Sequence, residues 1–89
     1  MAVFCVSYDL NNPGQKYQKV QEVLKSYAGW IHLLDSTWLI AADTTPNQII
    51  EALKVHIDSN DRVFISRVRV NEYSGWLTDE DWDWLRKHV

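Results

Sequence analysis

The central segment WIHLLDSTWLIAA, residues 30–42, decides the fold that the sequence predicts. It contains two apolar runs, residues 30–34 and 37–42, that are rich in residue types favoured in β-strands. Only Asp35 and Ser36 separate the runs, and so short a polar joint predicts a β-hairpin. The pattern leaves the register of this hairpin open. Two strands in direct succession therefore lie at the centre of the predicted fold.

Upstream of the hairpin, the sequence predicts a strand followed by a helix. Residues 3–9 form a β-rich run that ends at the turn-forming sequence NNPG, residues 11–14. Two structures fit this sequence: a type II turn centred on Pro13 and Gly14, or a helix capped by Asn12 with Pro13 in its first position. Apolar side chains at helical spacing then predict an amphipathic helix of about three turns that ends at Gly29. Those apolar residues are Tyr17, Val20, Val23, Leu24 and Tyr27.

Downstream of the hairpin, a second helix and a last strand are predicted. Thr45 is placed to cap the helix, Pro46 to occupy its first position, and the polar run DSND, residues 58–61, to end it. Residues 62–70 then alternate as they do in a strand. The order β-α-β-β-α-β predicts a ferredoxin-like α+β fold, in which both helices cover one face of an antiparallel sheet. The apolar face of the second helix consists of Ile49, Ile50, Leu53 and Ile57.

The last predicted strand has two unequal faces. We expect Phe64 and Val68 to face the helices, which places Val63 and Ile65 on the opposite face of the sheet. A single chain of 89 residues has nothing in this prediction to cover that opposite face. Because a row of exposed aliphatic side chains is usually the surface of a partner, we expect a homodimer or higher oligomer built on sheet faces or edges.

Composition and charge limit the classes of function. Residues 1–71 carry seven basic and seven acidic side chains, so the net charge of −3 comes from residues 72–89. A neutral body is unlike that of a general polyanion binder, although it allows a local phosphate site. The single cysteine, the lack of a leader pattern and the short apolar runs lead us to expect a cytoplasmic protein with no membrane partner.

Residues 72–89 form a Trp-rich acidic segment, which we separate from a ferredoxin-like domain of residues 1–71. Thr78 and the three acidic residues after it predict a helix from about residue 79. Trp82 and Trp84 lie roughly 200° apart on this helix, so one flat surface cannot bury both rings. We expect one ring to pack within the domain and the other to contact a second subunit or a ligand, and Trp84 is the binding candidate.

Asp9, at the end of the first predicted strand, is the candidate catalytic and metal-binding residue. A carboxylate in that position, facing a helix N-terminus, can bind Mg²⁺ or Mn²⁺ together with a phosphate. One carboxylate is too few for a tight metal site, but a two-fold dimer supplies a second Asp9. The alternative is structural, because the same carboxylate could accept hydrogen bonds from the turn amides of Asn11 and Asn12.

The run VSYDL, residues 6–10, resembles the first-strand motif of the small CRISPR spacer-acquisition nucleases and their virulence-associated protein D relatives. In that family an apolar strand ends in Tyr-Asp. The likeness extends to the hairpin, where DSTW, residues 35–38, stands in place of a polar residue, Ser, an aliphatic residue and Phe. The resemblance covers about residues 3–70. It implies a ferredoxin-like homodimer with paired Asp9 carboxylates near a divalent ion, Ser36 in the same cleft, and RNA or DNA as substrate or cargo.

Two hypotheses about function follow. In the first, the protein is a metal-dependent nuclease, or a degenerate relative of one, that binds RNA or DNA. In the second, it is a non-catalytic oligomer that binds a nucleotide or a partner protein through Trp and Arg side chains at subunit boundaries. Arg67 and Arg69 are spaced by roughly 7 Å along one strand face, which suits neighbouring phosphates and equally suits ion pairs with acids of the same chain. The predicted binding residues are Tyr8, Asn11, Asn12, Arg67, Arg69 and Trp84, beside Asp9 and Ser36 as the catalytic pair.

Overall fold

A computed structural model describes residues 1–11 and 13–89 of the chain. For residues 13–15 it describes the backbone alone. The described strands form one antiparallel sheet in the order β2-β3-β1-β4. The predicted α+β class is therefore confirmed, and the sheet is accompanied by three helices. No helix in the described part of the chain is long and apolar enough to cross a membrane. The elements are β1 (Ala2–Asp9), α1 (Pro13–Lys25), β2 (Gly29–Leu34), β3 (Thr37–Ala42), α2 (Pro46–Lys54), β4 (Arg62–Val68) and α3 (Asp79–His88).

Local capping signals set the starts of α2 and α3. The Thr45 side chain accepts a hydrogen bond from the Gln48 amide, and Pro46 lies in the first turn of α2. At α3 the Thr78 hydroxyl accepts from the Asp81 amide while the Asp81 carboxylate accepts from the Thr78 amide, a complete capping box. The predicted start of α3 near residue 79 is thereby confirmed. The predicted cap of α1, Asn12, lies outside the described residues.

One face of the sheet packs against α1 and α2. Trp38, Phe4 and Val6 are fully buried there between the sheet and the two helices. Val63 and Ile65 of β4 pack against the same cluster, so the predicted orientation of β4 is wrong. An alternating strand fits a sheet equally well either way up, and its register decides the outcome: Ile65 pairs with Val6, and paired residues share a face. The helical side chains buried in this cluster are Val20, Leu24, Ile49 and Leu53.

Half of the opposite face is covered by α3. Leu85 is buried there with Val3, Leu39 and Ala41 of the sheet. The expectation that the chain leaves this face bare is therefore wrong for this half. The path back to the sheet begins just after β4, where Asn71 takes a positive φ of 62° and the Glu72 amide donates to the Arg69 carbonyl. Asn tolerates this left-handed conformation better than most residues, so the chain can reverse at that point.

The other half of this face has no cover within the described residues. Leu34, Thr37, Ser7 and Phe64 are register neighbours across the four strands, and we call them the open row. Leu34 is 54% exposed and Phe64 is 72% exposed, while the Ser7 and Thr37 hydroxyls between them are 3.2 Å apart and hydrogen-bonded. The face is thus divided into a half packed under α3 and a half open to solvent.

Candidate functional site

The two predicted catalytic residues lie at the same end of the sheet, next to the open row. Asp9 is the last residue of β1 and pairs with Arg62, the first residue of β4. Ser36 lies in the β2–β3 turn, and its carbonyl accepts a hydrogen bond of 3.0 Å from the Tyr8 amide. The turn is therefore held against the end of β1, one residue from Asp9. Strand pairing brings together residues that are 27 positions apart in the sequence.

An open depression of about 550 Å³ lies on the β1–β4 side of this end. Asp9, Arg62 and Phe64 line it together with Ser7 and Asp61. It therefore combines a carboxylate, a guanidinium group, an exposed aromatic ring and a hydroxyl. This range of chemistry suits a polar ligand that also has an aromatic part.

Asp61 is a structural carboxylate at the edge of this depression. Its side chain is fully buried, and its Oδ1 accepts the Asn11 amide at 2.8 Å. Its Oδ2 accepts the Asp58 amide at 2.9 Å and the Lys16 ammonium at 3.0 Å. The hydrogen bonds from the two backbone amides hold the pKa of the Asp61 carboxyl below its usual range. Asp61 thus ties together the segments after β1 and before β4, the turn role that we had offered as an alternative for Asp9.

Lys16 of α1 completes this polar cluster. Its ammonium lies 2.6 Å from an Asp58 carboxylate oxygen and 3.0 Å from Asp61. These hydrogen bonds, with that to Asp58 the stronger, raise the pKa of Lys16 and also lower the pKa of Asp58. We name the four residues Asn11, Lys16, Asp58 and Asp61 the Asp61 cluster. It holds the open end of the sheet to α1 with polar contacts.

A divalent metal site does not fit the residues that one chain provides. Asp9 is exposed, but both oxygens of the neighbouring Asp61 are already engaged by three donors. Arg62 is the strand partner of Asp9, and a guanidinium group disfavours a cation beside it. Within residues 1–11 and 16–89, no group of three or more His, Cys, Asp or Glu side chains is placed to hold a metal. Mg²⁺ or Mn²⁺ would need carboxylates from a second copy.

Tyr8 contributes to the core. Its side chain is buried, and its hydroxyl accepts a hydrogen bond of 3.0 Å from the Trp38 indole. Its ring also packs at a tilt against Tyr17, with 5.6 Å between centroids. Asn11, by contrast, is exposed, and only its amide is engaged by Asp61. The Asn12 prediction lies outside the described residues.

The structure separates the predicted arginine and tryptophan binders. Arg67 and Arg69 are both exposed and line one depression of about 250 Å³ with Met1 and His88. Trp84 lines a different depression, of about 310 Å³, which also includes His88. The Trp84 ring stacks on His88 at 4.1 Å, and the His88 ring is hydrogen-bonded to the Trp84 carbonyl. The two predicted groups therefore lie on either side of His88 and do not share one pocket.

Both tryptophans of α3 pack within the domain, so the prediction that only one of them does so is wrong. Trp82 and Trp84 are half-buried and contact the cluster around Leu85. Leu85 lies between them on the helix, roughly 60° from Trp82 and 100° from Trp84, so the two large rings reach the sheet on either side of it. The fully exposed tryptophan is Trp76, in the segment before α3.

Sequence reasoning missed the importance of Arg62, Phe64 and Asp61. Arg62 and Phe64 were recognised as part of a strand. Because the predicted orientation of β4 was the reverse of the observed one, Phe64 was expected to face the helices, whereas it faces solvent. Asp61 resembled an ordinary turn residue, and only the tertiary contacts show that it is buried. No family model matches the chain.

Proposed function

We propose that the protein is a ferredoxin-like homodimer that binds RNA, DNA or a nucleotide in a cleft between its subunits, at the end of the sheet that carries Asp9 and Ser36. The first six elements support the ferredoxin-like plan, since they follow the order β-α-β-β-α-β. The VSYDL and DSTW motifs support a relation to the small CRISPR-associated nucleases. The single cysteine supports a reducing, cytoplasmic setting.

The observation that carries the homodimer is the open row. It presents two exposed apolar side chains, Leu34 and Phe64, beside a carboxylate and a guanidinium group from Asp9 and Arg62. A patch that carries both charges is self-complementary, because a two-fold axis can bring Asp9 of one copy to Arg62 of the other. The same axis would bring the two Asp9 residues and the two Ser36 residues to one cleft.

The chemistry of this cleft supports a phosphate-containing ligand. Arg62 offers a planar guanidinium group that can bind a phosphate through two hydrogen bonds. Asn11 and Ser36 add uncharged polar groups at the same end of the sheet. Since the carboxylate of Asp9 repels a bare phosphate, we expect Mg²⁺ or Mn²⁺ to strengthen binding, and cleavage would require both subunits.

A second candidate site is the cationic depression at the other end of the sheet. Arg67, Arg69 and the Met1 amino terminus surround it. It supports the hypothesis of a non-catalytic nucleotide binder, because clustered positive groups attract a phosphate without any need for Asp9. Two variants therefore distinguish the sites. Arg62→Gln should weaken ligand binding if the ligand lies beside Asp9, and Arg67→Gln should weaken it if the ligand lies in this second depression.

Light scattering and fluorescence anisotropy test the main proposal together. We expect a dimer that binds labelled single-stranded RNA or DNA, and we expect Phe64→Ser to lower both the mass and the affinity. Arg62→Gln should weaken binding about tenfold, the loss of one charged hydrogen bond. Arg86→Gln is the matched control, since Arg86 is exposed on α3 and pairs with Asp83. The proposal is contradicted if the wild-type protein is a monomer at all concentrations. It is also contradicted if Arg62→Gln and Arg86→Gln bind the nucleic acid with equal affinity.

Cleavage is tested separately with Asp9→Ala. Wild type and variant are incubated with single-stranded RNA and duplex DNA in Mg²⁺ or Mn²⁺, with Asp43→Ala as a control at another exposed aspartate. Loss of activity in Asp9→Ala alone supports a nuclease. Equal residual activity in the three proteins removes Asp9 from catalysis and leaves a binding protein.

A further inference from the structure

Three aromatic rings lie next to one another at the β2 edge of the sheet, on the face that α1 and α2 cover. Trp30 pairs with the buried Ile40 of β3. His32, two residues further along β2, pairs with Trp38. Paired residues share a face, and Ile40 and Trp38 both belong to the core under α1 and α2. We call Trp30, His32 and Trp38 the aromatic row.

The two β2 rings of the aromatic row are open to solvent, while the fold holds them in place. Trp30 is 40% exposed, and His32 is exposed as well. Each contacts the buried Trp38 ring: Trp30 at a tilt with 5.4 Å between centroids, and His32 in a stack with 4.4 Å between centroids. The His32 ring also forms a hydrogen bond of 3.0 Å with the Asp35 carbonyl. The row is therefore an ordered aromatic surface that a ligand can reach.

A positive charge lies beside this surface. Lys25 is in the last turn of α1, and its ammonium group is 5.5 Å from the centroid of the Trp30 ring. The Lys25 side chain is exposed, and it forms no ion pair within the part of the chain that the structure describes. Because its four-carbon stem is flexible, the ammonium group can move from the ring to an anion nearby. The ring face is then free to contact another part of the same ligand.

The backbone of β2 argues against the addition of a further strand at this edge. The pairing of β2 with β3 shifts its register between His32 and Leu34. A bulge of this kind interrupts the ladder and makes an edge strand a poor template for another chain. A ligand at this edge is therefore recognised by side chains, and the side chains on offer are two aromatic rings and one ammonium group.

From these features we infer that the aromatic row binds single-stranded nucleic acid, whose bases stack on Trp30 and His32 while a phosphate pairs with Lys25. Aromatic rings beside a cation suit single strands, because every base has a face that can stack and each nucleotide carries a phosphate. A small anion would use Lys25 and leave the rings uncovered, and an apolar peptide would cover the rings and leave Lys25 unpaired. In a duplex the base faces are stacked on one another, so a duplex offers this site only its phosphates.

This inference rests on the class of ligand proposed above, but it uses neither the cleft nor the dimer. The aromatic row lies on the face of the sheet opposite the open row, because Leu34 and Phe64 belong to the face that α3 half covers. Variants of the two surfaces can therefore be compared with the same ligand. The aromatic row specifies that this ligand is a single strand.

The experiment titrates the full chain, labelled with 5-fluorotryptophan, with oligothymidine or oligoadenosine of about eight nucleotides. The chain has five tryptophans, and the ¹⁹F signal of Trp30 is the one that Trp30→Phe removes. We expect the Trp30 signal to shift and the signal of Trp76, which is fully exposed in the segment before α3, to stay in place. An abasic oligonucleotide of equal length keeps the phosphates but cannot stack, and it should bind about tenfold more weakly.

Paired variants separate stacking from apolar packing and from charge. Trp30→Leu should weaken single-strand binding about tenfold, whereas Trp30→Phe keeps an aromatic face and should retain most of it. Lys25→Gln should weaken binding and reduce its dependence on salt. Trp76→Leu and Lys54→Gln are the matched controls at exposed positions elsewhere, and both should bind like wild type. Thermal unfolding identifies any variant that does not fold, and His32→Leu then takes the place of Trp30→Leu.

The outcomes distinguish this inference from the proposed cleft. Weaker binding by Trp30→Leu but not by Arg62→Gln supports the aromatic row and counts against the cleft, and the reverse result overturns the inference and leaves the cleft standing. Equal binding of the abasic oligonucleotide, or of duplex DNA, also overturns the inference, because stacking then contributes nothing. A wild-type protein that binds no nucleic acid overturns both.

Discussion

The two ends of the sheet are held by different kinds of contact. At one end, α3 covers the sheet with apolar side chains around Leu85. At the other end, the Asp61 cluster fastens the chain with hydrogen bonds and ion pairs, and the open row beside it remains exposed. Apolar packing is insensitive to pH, but it occupies the surface that it covers. Polar fastening leaves the surface free, which is why the candidate site lies at the end that α3 does not reach.

The largest effect should come from the covered end. Leu85→Ala removes a fully buried side chain from the centre of the α3 contact and should lower the free energy of unfolding by about 2–5 kcal/mol. Urea denaturation at several pH values measures it, and the loss should be the same from pH 5 to 8. Leu34→Ala, on the same face but in the open row, is the matched control and should change stability by less than about 0.5 kcal/mol. Equal losses would mean that the two halves of this face do not differ.

A smaller, pH-dependent effect should come from the open end. The folded state holds the pKa of Asp61 and Asp58 below the unfolded value of about 3.9, so their stabilising contribution is present above that pH. It is lost as the pH falls through the folded pKa of each group. Asp61→Asn should therefore lower the melting temperature by several degrees at pH 7 and flatten its decline in acid.

Thermal unfolding from pH 7 to pH 2 checks this expectation. Asp43→Asn serves as the control, because Asp43 is exposed at the opposite end of β3 from the Ser36 turn. Lys16 acts in the other direction: its raised pKa stabilises the fold below about pH 10.4, and this contribution is lost as the pH rises through the folded value. An acid decline that is the same in wild type and Asp61→Asn would contradict the role of the cluster.

The smallest effect should come from the cap of α3. Thr78→Ala removes one half of the capping box and should lower stability by about 1 kcal/mol. Thr78→Ser keeps the hydroxyl and should retain most of the stability, so the pair separates capping from packing. Circular dichroism and urea denaturation measure both variants. A loss as large as that of Leu85→Ala would show that the position of α3 depends on its cap more than on its apolar face.

Much of the architecture could be predicted because its signals are local. The hairpin at Asp35–Ser36, the caps at Thr45 and Thr78, and the strand ending at Asp9 all follow from neighbouring residues. The family resemblance had implied that Ser36 lies near Asp9, and the strand order β2-β3-β1-β4 brings the two residues to the same end of the sheet. The orientation of β4 could not be predicted, because an alternating strand turned over has the same local pattern.

The sequence by itself determined which segments are helices and strands, where the caps lie, and that residues 72–89 carry the acidic excess. Only the tertiary structure decided that α3 folds back over the sheet, that Asp61 is buried, and that Phe64 is exposed. Local structure depends on contacts between residues a few positions apart, which a sequence displays directly. The face that each element covers depends on competition among distant apolar surfaces, and that competition is resolved only when the whole chain packs.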